Sequence, residues 1–343
     1  DRLRILDPAC GSGSFLIQAY QRLLDGYRDR YVAGGPEKRT KGRKPVLYQA
    51  AGGEWRLTTA ERKRILLNSI YGVDIDPQAV EVTKLSLLLK VLEGESGETL
   101  TNQIKLFQER ALPDLSGNIR CGNSLIGPDF YDGAQLTLLG EEDQYRINCF
   151  DWEKEFPEIF AAGNGRTSSV TRGGREAASP DRDGGFDAVI GNPPYIRIQT
   201  MKEWAPLEVE FYKRAFAAAG KGNYDIYVVF VEKGLSLLNG RGRLGFILPH
   251  KFFNAQYGEA LRNLLAKGKH LSGVVHFGDA QVFAGATTYT CLLFLEKAGA
   301  DSCRFTKVDD LEAWQKTGQG TEGAITAANI TAAEWNFTVG RGA

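Results

Sequence analysis

The stretch LRILDPACGSGSF (Leu3 to Phe15) decides the fold of this 343-residue chain. Residues 3–6 are typical of a buried strand, and the apolar residues of 14–27 recur at the spacing of an amphipathic helix. Gly11 and Gly13 stand at the corner between the two, where glycine allows a tight turn and lets a ligand approach the backbone closely. The stretch therefore predicts a strand, a turn and a helix that together form a site for a nucleotide-like ligand.

The glycine corner lacks both common phosphate-binding patterns. A dinucleotide-binding turn has a third glycine where this chain has Leu16, and a P-loop has a lysine after its second glycine, which is missing here. So short a motif also has a purely structural alternative, a tight turn that binds nothing.

Strands and helices alternate along the rest of the chain, which predicts a layered α/β sheet with mostly parallel strands. Further helices are expected at residues 77–92, 224–238 and 255–265. The short connection 278–287 before the last strand predicts an antiparallel finish to the sheet. Seven strands are expected, at residues 3–6, 70–75, 118–121, 186–191, 243–249, 271–277 and 289–295.

The composition is that of an ordinary globular protein, with 43% hydrophobic and 24% charged residues. Lys plus Arg and Asp plus Glu both number 42, so the net charge gives no support for a nucleic-acid partner but does not exclude a local basic face. No apolar run approaches the ~18 residues of a membrane span, and no leader is visible, so a cytoplasmic location is expected. The five cysteines form no CxxC pair and the histidines (His250, His270, His276) are scattered, so we expect neither disulfides nor a metal site.

Two insertions interrupt the pattern. Residues 28–64 are rich in lysine and arginine, and a solvated insertion and a contact with the DNA backbone both remain open. Residues 161–185 are nearly free of large apolar side chains and are expected to form a mobile loop. The chain begins at Asp1, almost inside its first strand, which suggests a fragment of a longer protein. We expect one catalytic domain at 1–300 and, at 301–343, a linker or the start of a following segment.

Polar residues follow the second and third strands. Asp74 ends the second strand, where folds of this type bind the two hydroxyls of a ribose. Asp76 is better explained as the cap of the helix that begins at Pro77. Asn123 closes the third strand and could bond the rim of an adenine ring, with a turn residue as the equal alternative.

The stretch FDAVIGNPPY (Phe186 to Tyr195) is the most informative motif for function. Two prolines fix the backbone and remove its donors, which leaves the Pro193 carbonyl and the Asn192 side-chain oxygen as acceptors. Two acceptors and the aromatic face of Tyr195 suit a planar group that bears an NH2. The structural alternative is a Pro-Pro turn with a packed tyrosine.

DPACGSGSF followed by NPPY resembles the amino-methyltransferases that use S-adenosylmethionine, in particular bacterial DNA adenine-N6 methyltransferases. These motif sequences are similar to those in the methylase part of type IIG restriction–modification enzymes. Residues 240–253 and 274–297 extend the resemblance over most of the chain. It implies a Rossmann-like class I methyltransferase fold, with a seven-stranded mixed sheet, helices on both faces and an antiparallel last strand. It also implies S-adenosyl-L-methionine as cofactor, no metal for methyl transfer, double-stranded DNA as partner and the prokaryotic cytoplasm as location.

The resemblance assigns roles to individual residues around the cofactor. Asp74 would bind the ribose hydroxyls, with Ile75 on the adenine face. Asn123 stands where many relatives carry an aspartate for the adenine amine, and an amide oxygen can still accept that bond. The residues implied for the methionine part of the cofactor and its turn are Asp7, Ala9, Cys10, Gly11 and Gly13.

At the target base, the resemblance implies a catalytic motif made of Asn192, Pro193, Pro194 and Tyr195. Asn192 and Pro193 would accept hydrogen bonds from the target amine, and Tyr195 would stack on the base. Phe283 matches the position that stacks on the other face, although alanine follows it where relatives often have proline. Because the amine of adenine lies inside the duplex, the base must be flipped out of the helix.

Two other functions remain open. NPPY also occurs in methyltransferases that act on protein glutamine or on RNA, but those usually read D-x-G-x-G-S-G at the cofactor turn. A non-catalytic module that binds DNA or a ligand is the other candidate, and the intact motif at 192–195 argues against it. By resemblance, a target-recognition domain lies outside this sequence, and whether a nuclease domain accompanies it stays open.

Overall fold

The computed structural model describes residues 3–42, 44–50, 52–94, 112–132, 141–160, 184–220, 222–283 and 289–337. The chain divides into two compact units, Asp1–Gly122 and Asn123–Ala343. Nearly all of the loop expected at 161–185 lies outside the described residues. In the part of the chain that is described, no helix is both long and apolar enough to cross a membrane.

The first unit contains a parallel three-stranded section of the main sheet and a separate hairpin. Its strands are β1 (Ile5–Asp7), β2 (Leu47–Gln49), β3 (Trp55–Leu57), β4 (Ile70–Asp74) and β5 (Ile119–Cys121). Its helices are α1 (Ser14–Ala33), α2 (Thr59–Ser69) and α3 (Pro77–Leu92). β4 lies between β1 and β5, and Asp7 pairs with Gly72 while Asp74 pairs with Cys121. The parallel pairing brings the carboxyl ends of the three strands to one edge.

Local sequence explains where these helices begin. The Thr58 hydroxyl accepts a hydrogen bond from the Glu61 amide at 3.3 Å and caps α2. The Asp76 carboxylate accepts from the Gln78 amide at 2.8 Å, which confirms its predicted role as the cap of α3. Gly72 lets α1 pack on β4, because a Cβ there would lie 2.8 Å from the Leu16 Cδ1 atom.

The basic insertion at 28–64 carries the hairpin β2–β3, and some of its arginines form ion pairs within the unit. Arg28 pairs with Asp25 at 3.1 Å and with Asp29 at 2.9 Å, and Arg64 pairs with the buried Glu61 at 2.7 Å. These ion pairs lie within the unit, and the solvated insertion and the contact with the DNA backbone both stay predictions. Arg56 donates hydrogen bonds to the Glu54 carboxylate and to the Gly94 carbonyl. Arg62 donates to the carbonyls of Val91 and Glu93.

The second unit contains the rest of the main sheet. Its strands are β6 (Phe186–Gly191), β7 (Leu238–Pro249), β8 (Leu271–His276), β9 (Thr290–Glu296), β10 (Ser302–Lys307) and β11 (Thr321–Thr326). Its helices are α4 (Glu141–Ile147), α5 (Trp152–Glu155), α6 (Pro157–Phe160), α7 (Ile198–Trp204), α8 (Pro206–Ala215), α9 (Tyr227–Ser236), α10 (Glu259–Lys267) and α11 (Leu311–Thr317). The strand order is β6-β7-β9-β8-β10-β11. β6 and β7 are parallel, and β9 is antiparallel to both β7 and β8, which confirms the predicted antiparallel strand.

The expectation of seven strands was wrong: over the described residues the main sheet has nine. All seven predicted strands are present, and β10 and β11 were missed. β10 pairs with β8 in parallel and with β11 in antiparallel register. Both have short sequences, SCRFTK and TEGAIT, with several exposed polar residues, and β11 lies at the sheet edge. Such strands lack the continuous apolar run that marks a buried strand, so their sequence signal is weak.

Candidate active site

The glycine turn after β1 leaves open space beside its backbone. Gly11 and Gly13 have φ angles of +52° and +82°, which side chains other than glycine rarely adopt. The Gly13 amide donates to the Cys10 carbonyl at 2.8 Å and closes the turn. A Cβ built on Gly11 would meet no atom within 4 Å. The turn therefore has room for a ligand against its backbone.

Thr83 on α3 holds this turn from behind and was not predicted from the sequence. Its hydroxyl donates to the Gly11 carbonyl at 2.7 Å. A Cβ on Gly13 would lie 2.9 Å from the Thr83 Cγ2 atom, so the side chain packs directly against the turn. Thr83 is fully buried in a helix face it shares with Val80 and Leu87. The signal in the sequence that could have identified Thr83 is its place as a polar residue within an apolar stripe of the helix.

Asp74 ties the glycine turn to the end of β4. Its Oδ2 atom accepts from the Gly11 amide at 2.8 Å, and its Oδ1 atom accepts from the Asp76 amide at 3.0 Å. A carboxylate offers about four acceptor positions. Each oxygen of Asp74 therefore keeps a position that could accept a hydroxyl hydrogen. The next side chain, Ile75, is 51% exposed and presents an apolar surface at the strand end.

Asp7 is a second carboxylate near the same turn, but it is only 2% exposed. Its Oδ1 atom accepts from the Ala9 amide at 3.1 Å. Burial, and to a lesser extent the negative charge of Asp74, raises the pKa of Asp7 to about 7, although the bond from Ala9 opposes the rise. A buried carboxyl that titrates near neutrality would be stabilised as the anion by a cationic ligand group.

The first unit thus has the features that a cationic nucleoside would require. It offers open space beside Gly11, free acceptor positions on the Asp74 carboxylate and a half-exposed apolar side chain at Ile75. It also has a buried carboxyl, Asp7, whose pKa is about 7. The turn and the end of β4 are in contact, since Gly11 bonds to Asp74 and the Cys10 main-chain amide donates to the Val73 carbonyl at 3.1 Å. The assignment of these residues to a cofactor stays a prediction.

Asn123 begins the second unit and is 7% exposed. Its Oδ1 atom accepts from the Leu125 amide at 3.1 Å, a side-chain turn of the kind that asparagine favours. The main-chain amide of Asn123 donates to the Asn148 carbonyl at 2.7 Å. The turn role is therefore present, while a bond to an adenine amine stays a prediction. Because Asn123 and Asn192 lie in the second unit, their expected convergence with Asp7 and Asp74 also stays a prediction.

The NPPY loop leaves the carboxyl end of β6. Gly191 is the last residue of that strand, pairs with Phe246 of β7 and has a φ angle of +152°. Asn192 follows it and is half-buried, and Pro193 is buried. The Tyr195 hydroxyl oxygen lies 2.5 Å from the Asn192 Oδ1 atom. The loop therefore folds back on itself, with its tyrosine against its asparagine.

The ring of Tyr195 is held by aromatic packing. It lies edge-on to the ring of Tyr227, with centroids 6.1 Å apart and planes at 82°. The hydroxyl groups of Tyr227 and Tyr257 are 2.9 Å apart, which anchors Tyr227 in turn. Burial raises the pKa of Tyr195 above its ordinary value, so its hydroxyl stays protonated.

A pocket of about 570 Å³ in the second unit has Tyr195 on its wall. Two cations, Arg197 and Lys251, also line it and are exposed, together with the half-buried Asp225. The remaining lining residues are Pro249, His250, Asn254, Ala255 and Tyr289. A volume of this size is enough for a nucleobase with its sugar.

His250 lies on the wall of this pocket, although no functional role was predicted for it. Its ring is 4.2 Å from that of His276, measured between centroids. Burial lowers the pKa of His250, and burial together with the charge of His250 lowers the pKa of His276 to about 4. Both rings are therefore neutral near pH 7. Among the residues that the structure describes, no cluster of three His, Cys, Asp or Glu side chains could bind a metal ion.

Phe283 is half-buried and lies just before residues 284–288, which are outside the described part of the chain. It is not among the described residues that line the pocket at Tyr195. Its predicted role as the second stacking face therefore stays a prediction.

The α/β fold, the glycine turn and the NPPY loop define the methylase class suggested by the sequence. A family model described as Eco57I restriction-modification methylase matches residues 68–283, and one described as N-6 DNA Methylase matches residues 1–110. The chain belongs to the Eco57I restriction-modification methylase family, which confirms the resemblance.

The chain is similar to named members of restriction–modification systems. It is 34% identical over 311 residues to the type II restriction enzyme and methyltransferase RM.Eco57I of Escherichia coli, covering 91% of this chain and 26% of that protein. It is 27% identical over 309 residues to the adenine-specific methyltransferase PglX of Streptomyces coelicolor, covering 88% and 21%. The chain thus spans about a quarter of the length of these curated relatives.

A solved structure supports the fold. The type IIL restriction–modification enzyme MmeI, in complex with DNA, aligns with a TM-score of 0.53 over 98% of this chain and 36% of that chain. The sequence identity is 15%, so the likeness concerns the fold alone.

Proposed function

We propose that this chain is the methylase part of a restriction–modification enzyme and transfers a methyl group from S-adenosylmethionine to the N6 amine of adenine in double-stranded DNA. The observation that carries the proposal is the NPPY loop at the end of β6, in a chain of the Eco57I methylase family. The fold proposed with it is that of a Rossmann-like class I methyltransferase.

Asn192 and Pro193 perform the central task in this proposal. The amine of adenine is a poor nucleophile, because its lone pair is delocalised into the ring. Two acceptors, the Asn192 side-chain oxygen and the Pro193 carbonyl, bond its two hydrogens and favour a pyramidal nitrogen with a localised lone pair. Orientation of the amine then contributes several kcal/mol to lowering the barrier, at about the scale known for well-placed reactants. Pro194 keeps the loop rigid.

The residues of the first unit would bind S-adenosylmethionine. Asp74 accepts from the ribose hydroxyls, Ile75 lies on the adenine face, and Asp7 balances the positive charge of the methionine part. When bound, the cofactor supplies a methyl group on a sulfonium, which is already a good leaving group. Neither a metal nor a strong base is required of the protein.

The pocket at Tyr195 would receive the flipped adenine. Tyr195 supplies a stacking face, worth about 1–3 kcal/mol for a base on an aromatic ring. Phe283 is proposed for the other face. The exposed cations Arg197 and Lys251 on the pocket wall could face the phosphates beside the flipped nucleotide.

The wider context is also part of the proposal. Sequence-specific recognition would come from a target-recognition domain outside residues 1–343, and a nuclease domain would accompany it if the protein is of type IIG. Two relatives have names that combine restriction enzyme and methyltransferase, which supports a nuclease in the same protein.

Substrate class is tested with the full-length protein and a labelled methyl donor. Double-stranded DNA, RNA and a release-factor protein are offered in parallel, and the products are analysed as nucleosides and amino acids. We expect label in N6-methyladenine of double-stranded DNA. Label in N-methylglutamine or in RNA, with unlabelled DNA, would contradict the proposal and support a methyltransferase that acts on protein glutamine or on RNA.

The raised pKa of Asp7 predicts that cofactor affinity depends on pH. Its pKa of about 7 means that the carboxyl is largely protonated below pH 7 and ionised above it. Because a cationic ligand favours the anion, affinity should strengthen as pH rises through 7, by about tenfold between pH 6 and pH 8. Titration calorimetry at several pH values measures this.

The matched control for this prediction is Asp7→Asn, which keeps the shape of the side chain and removes its titration. Its affinity should be weaker than that of the wild type at pH 8 and should change much less with pH. Equal pH slopes in the two proteins would show that another group titrates.

A further inference from the structure

The Tyr195 hydroxyl stands between two oxygen atoms. One is the Asn192 Oδ1 atom at 2.5 Å, and the other is the main-chain carbonyl oxygen of Ile247 at 3.2 Å. A phenol carries a single hydrogen, so it can donate fully to only one of them. That hydrogen stays in place at neutral pH, because the ordinary pKa of a phenol is about 10 and burial raises the pKa of Tyr195 further.

The Ile247 end of this arrangement is fixed. Ile247 lies in β7, which pairs with β6 on one side and with β9 on the other. The Tyr195 ring is held edge-on against the buried Tyr227. The hydroxyl oxygen and the Ile247 carbonyl are therefore set by the sheet and by packing, whereas the Asn192 carboxamide can turn about its last torsion angle.

The two ends of that carboxamide differ chemically. Its oxygen accepts hydrogen bonds, and its nitrogen donates them. The shorter of the two distances is the one to Oδ1, so the Tyr195 hydroxyl donates there and the NH2 end of Asn192 faces away from it. An amide oxygen has two lone pairs, so Oδ1 keeps one position for a second donor such as the target amine. Without the hydroxyl, the carboxamide could turn its NH2 end to the target, and two donors would then oppose each other.

We propose that the Tyr195 hydroxyl, held beside the Ile247 carbonyl, donates to Oδ1 and so orients the Asn192 carboxamide with this oxygen toward the target amine. Tyr195 is then a positioning residue through its hydroxyl, separately from the stacking role of its ring. In the structure Oδ1 already lies against the hydroxyl, so the carboxamide keeps this orientation when the amine donor enters. This inference rests on the proposed function, which assigns Asn192 to the target amine.

The test is Tyr195→Phe in the full-length protein, which removes the hydroxyl and keeps the ring. The single-turnover rate of methyl transfer is measured at saturating DNA and cofactor. Extrusion of the base is followed separately, by the fluorescence of 2-aminopurine at the target position. We expect the rate to fall about tenfold, the scale of one net hydrogen bond, while the fluorescence change and the DNA affinity stay as in the wild type.

Tyr224→Phe is the matched control. Tyr224 is also buried, and its hydroxyl has no hydrogen-bond partner among the described residues. Its removal should leave the methyl-transfer rate unchanged. Equal thermal midpoints of the two variants would exclude a general loss of stability as the cause.

Two outcomes would overturn the inference. One is a Tyr195→Phe variant that methylates at the wild-type rate. The other is a variant whose rate and fluorescence change fall together, which would mean that the hydroxyl acts through packing of the ring. The wild-type protein in the same assay reports on the proposed function independently: if it methylates another substrate, the proposed function fails, and the ratio of variant to wild type on that substrate still measures the hydroxyl.

Discussion

Asn192→Ala in the full-length protein is expected to abolish methyl transfer to DNA, with a loss of at least about a hundredfold, the scale for removing one hydrogen bond made in the transition state. The variant loses the side-chain acceptor that localises the lone pair of the amine, and only the Pro193 carbonyl remains. Single-turnover measurements with labelled cofactor provide the rate. Cofactor affinity should change little, since Asn192 is assigned to the target and not to the cofactor.

The converse variant, Asp74→Ala, tests cofactor binding separately from methyl transfer. It removes the carboxylate whose free acceptor positions suit the ribose hydroxyls, and it also releases the Gly11 amide from its 2.8 Å bond. Cofactor binding should weaken by about 1–3 kcal/mol, the range for losing hydrogen bonds to a charged group. At saturating cofactor, the transfer rate should recover much more than in Asn192→Ala.

These two assignments would fail in different ways. An Asn192→Ala protein that methylates DNA at nearly the wild-type rate would remove Asn192 from catalysis. An Asp74→Ala protein with normal cofactor affinity would leave Asp74 as a residue that only ties the turn to β4.

The sequence predicted the strand ends well, because glycine and proline mark them. Asp7 and Asp74 were both placed at the carboxyl ends of buried strands, and each is the last residue of its strand, β1 and β4. Each of these strands is a short apolar run followed at once by a turn or a helix cap. Such a signal is local, so it can be recognised without knowledge of the tertiary structure.

The contacts between distant parts of the chain could not be predicted in this way. Thr83 bonds to a residue 72 positions away, and Tyr195 approaches the carbonyl of a residue 52 positions away. Both contacts depend on how helices and strands pack, which no local pattern encodes. For Asn123 the sequence allowed two roles, because the same side chain could stabilise a turn or bind a ligand. Its bond to the Leu125 amide is visible only in the structure.

The second large effect concerns base flipping. Tyr195→Ala and Phe283→Ala are each expected to slow methylation of paired DNA by about ten- to a hundredfold, because each would lose a stacking face worth about 1–3 kcal/mol per base. Tyr195→Ala should be the more severe of the two if its hydroxyl also orients Asn192. The measurement is the single-turnover rate on a duplex that contains one target adenine.

A mismatch at the target distinguishes stacking from a structural role. When the adenine stands opposite a mismatched base or an abasic site, extrusion costs less, so a side chain that stabilises the extruded base matters less. The defect of Phe283→Ala should therefore shrink on such DNA, and that of Tyr195→Ala should shrink to the part that comes from its hydroxyl, which Tyr195→Phe measures. A Phe283→Ala defect of equal size on paired and mismatched DNA would mean that Phe283 packs the loop before β9 and does not hold the base.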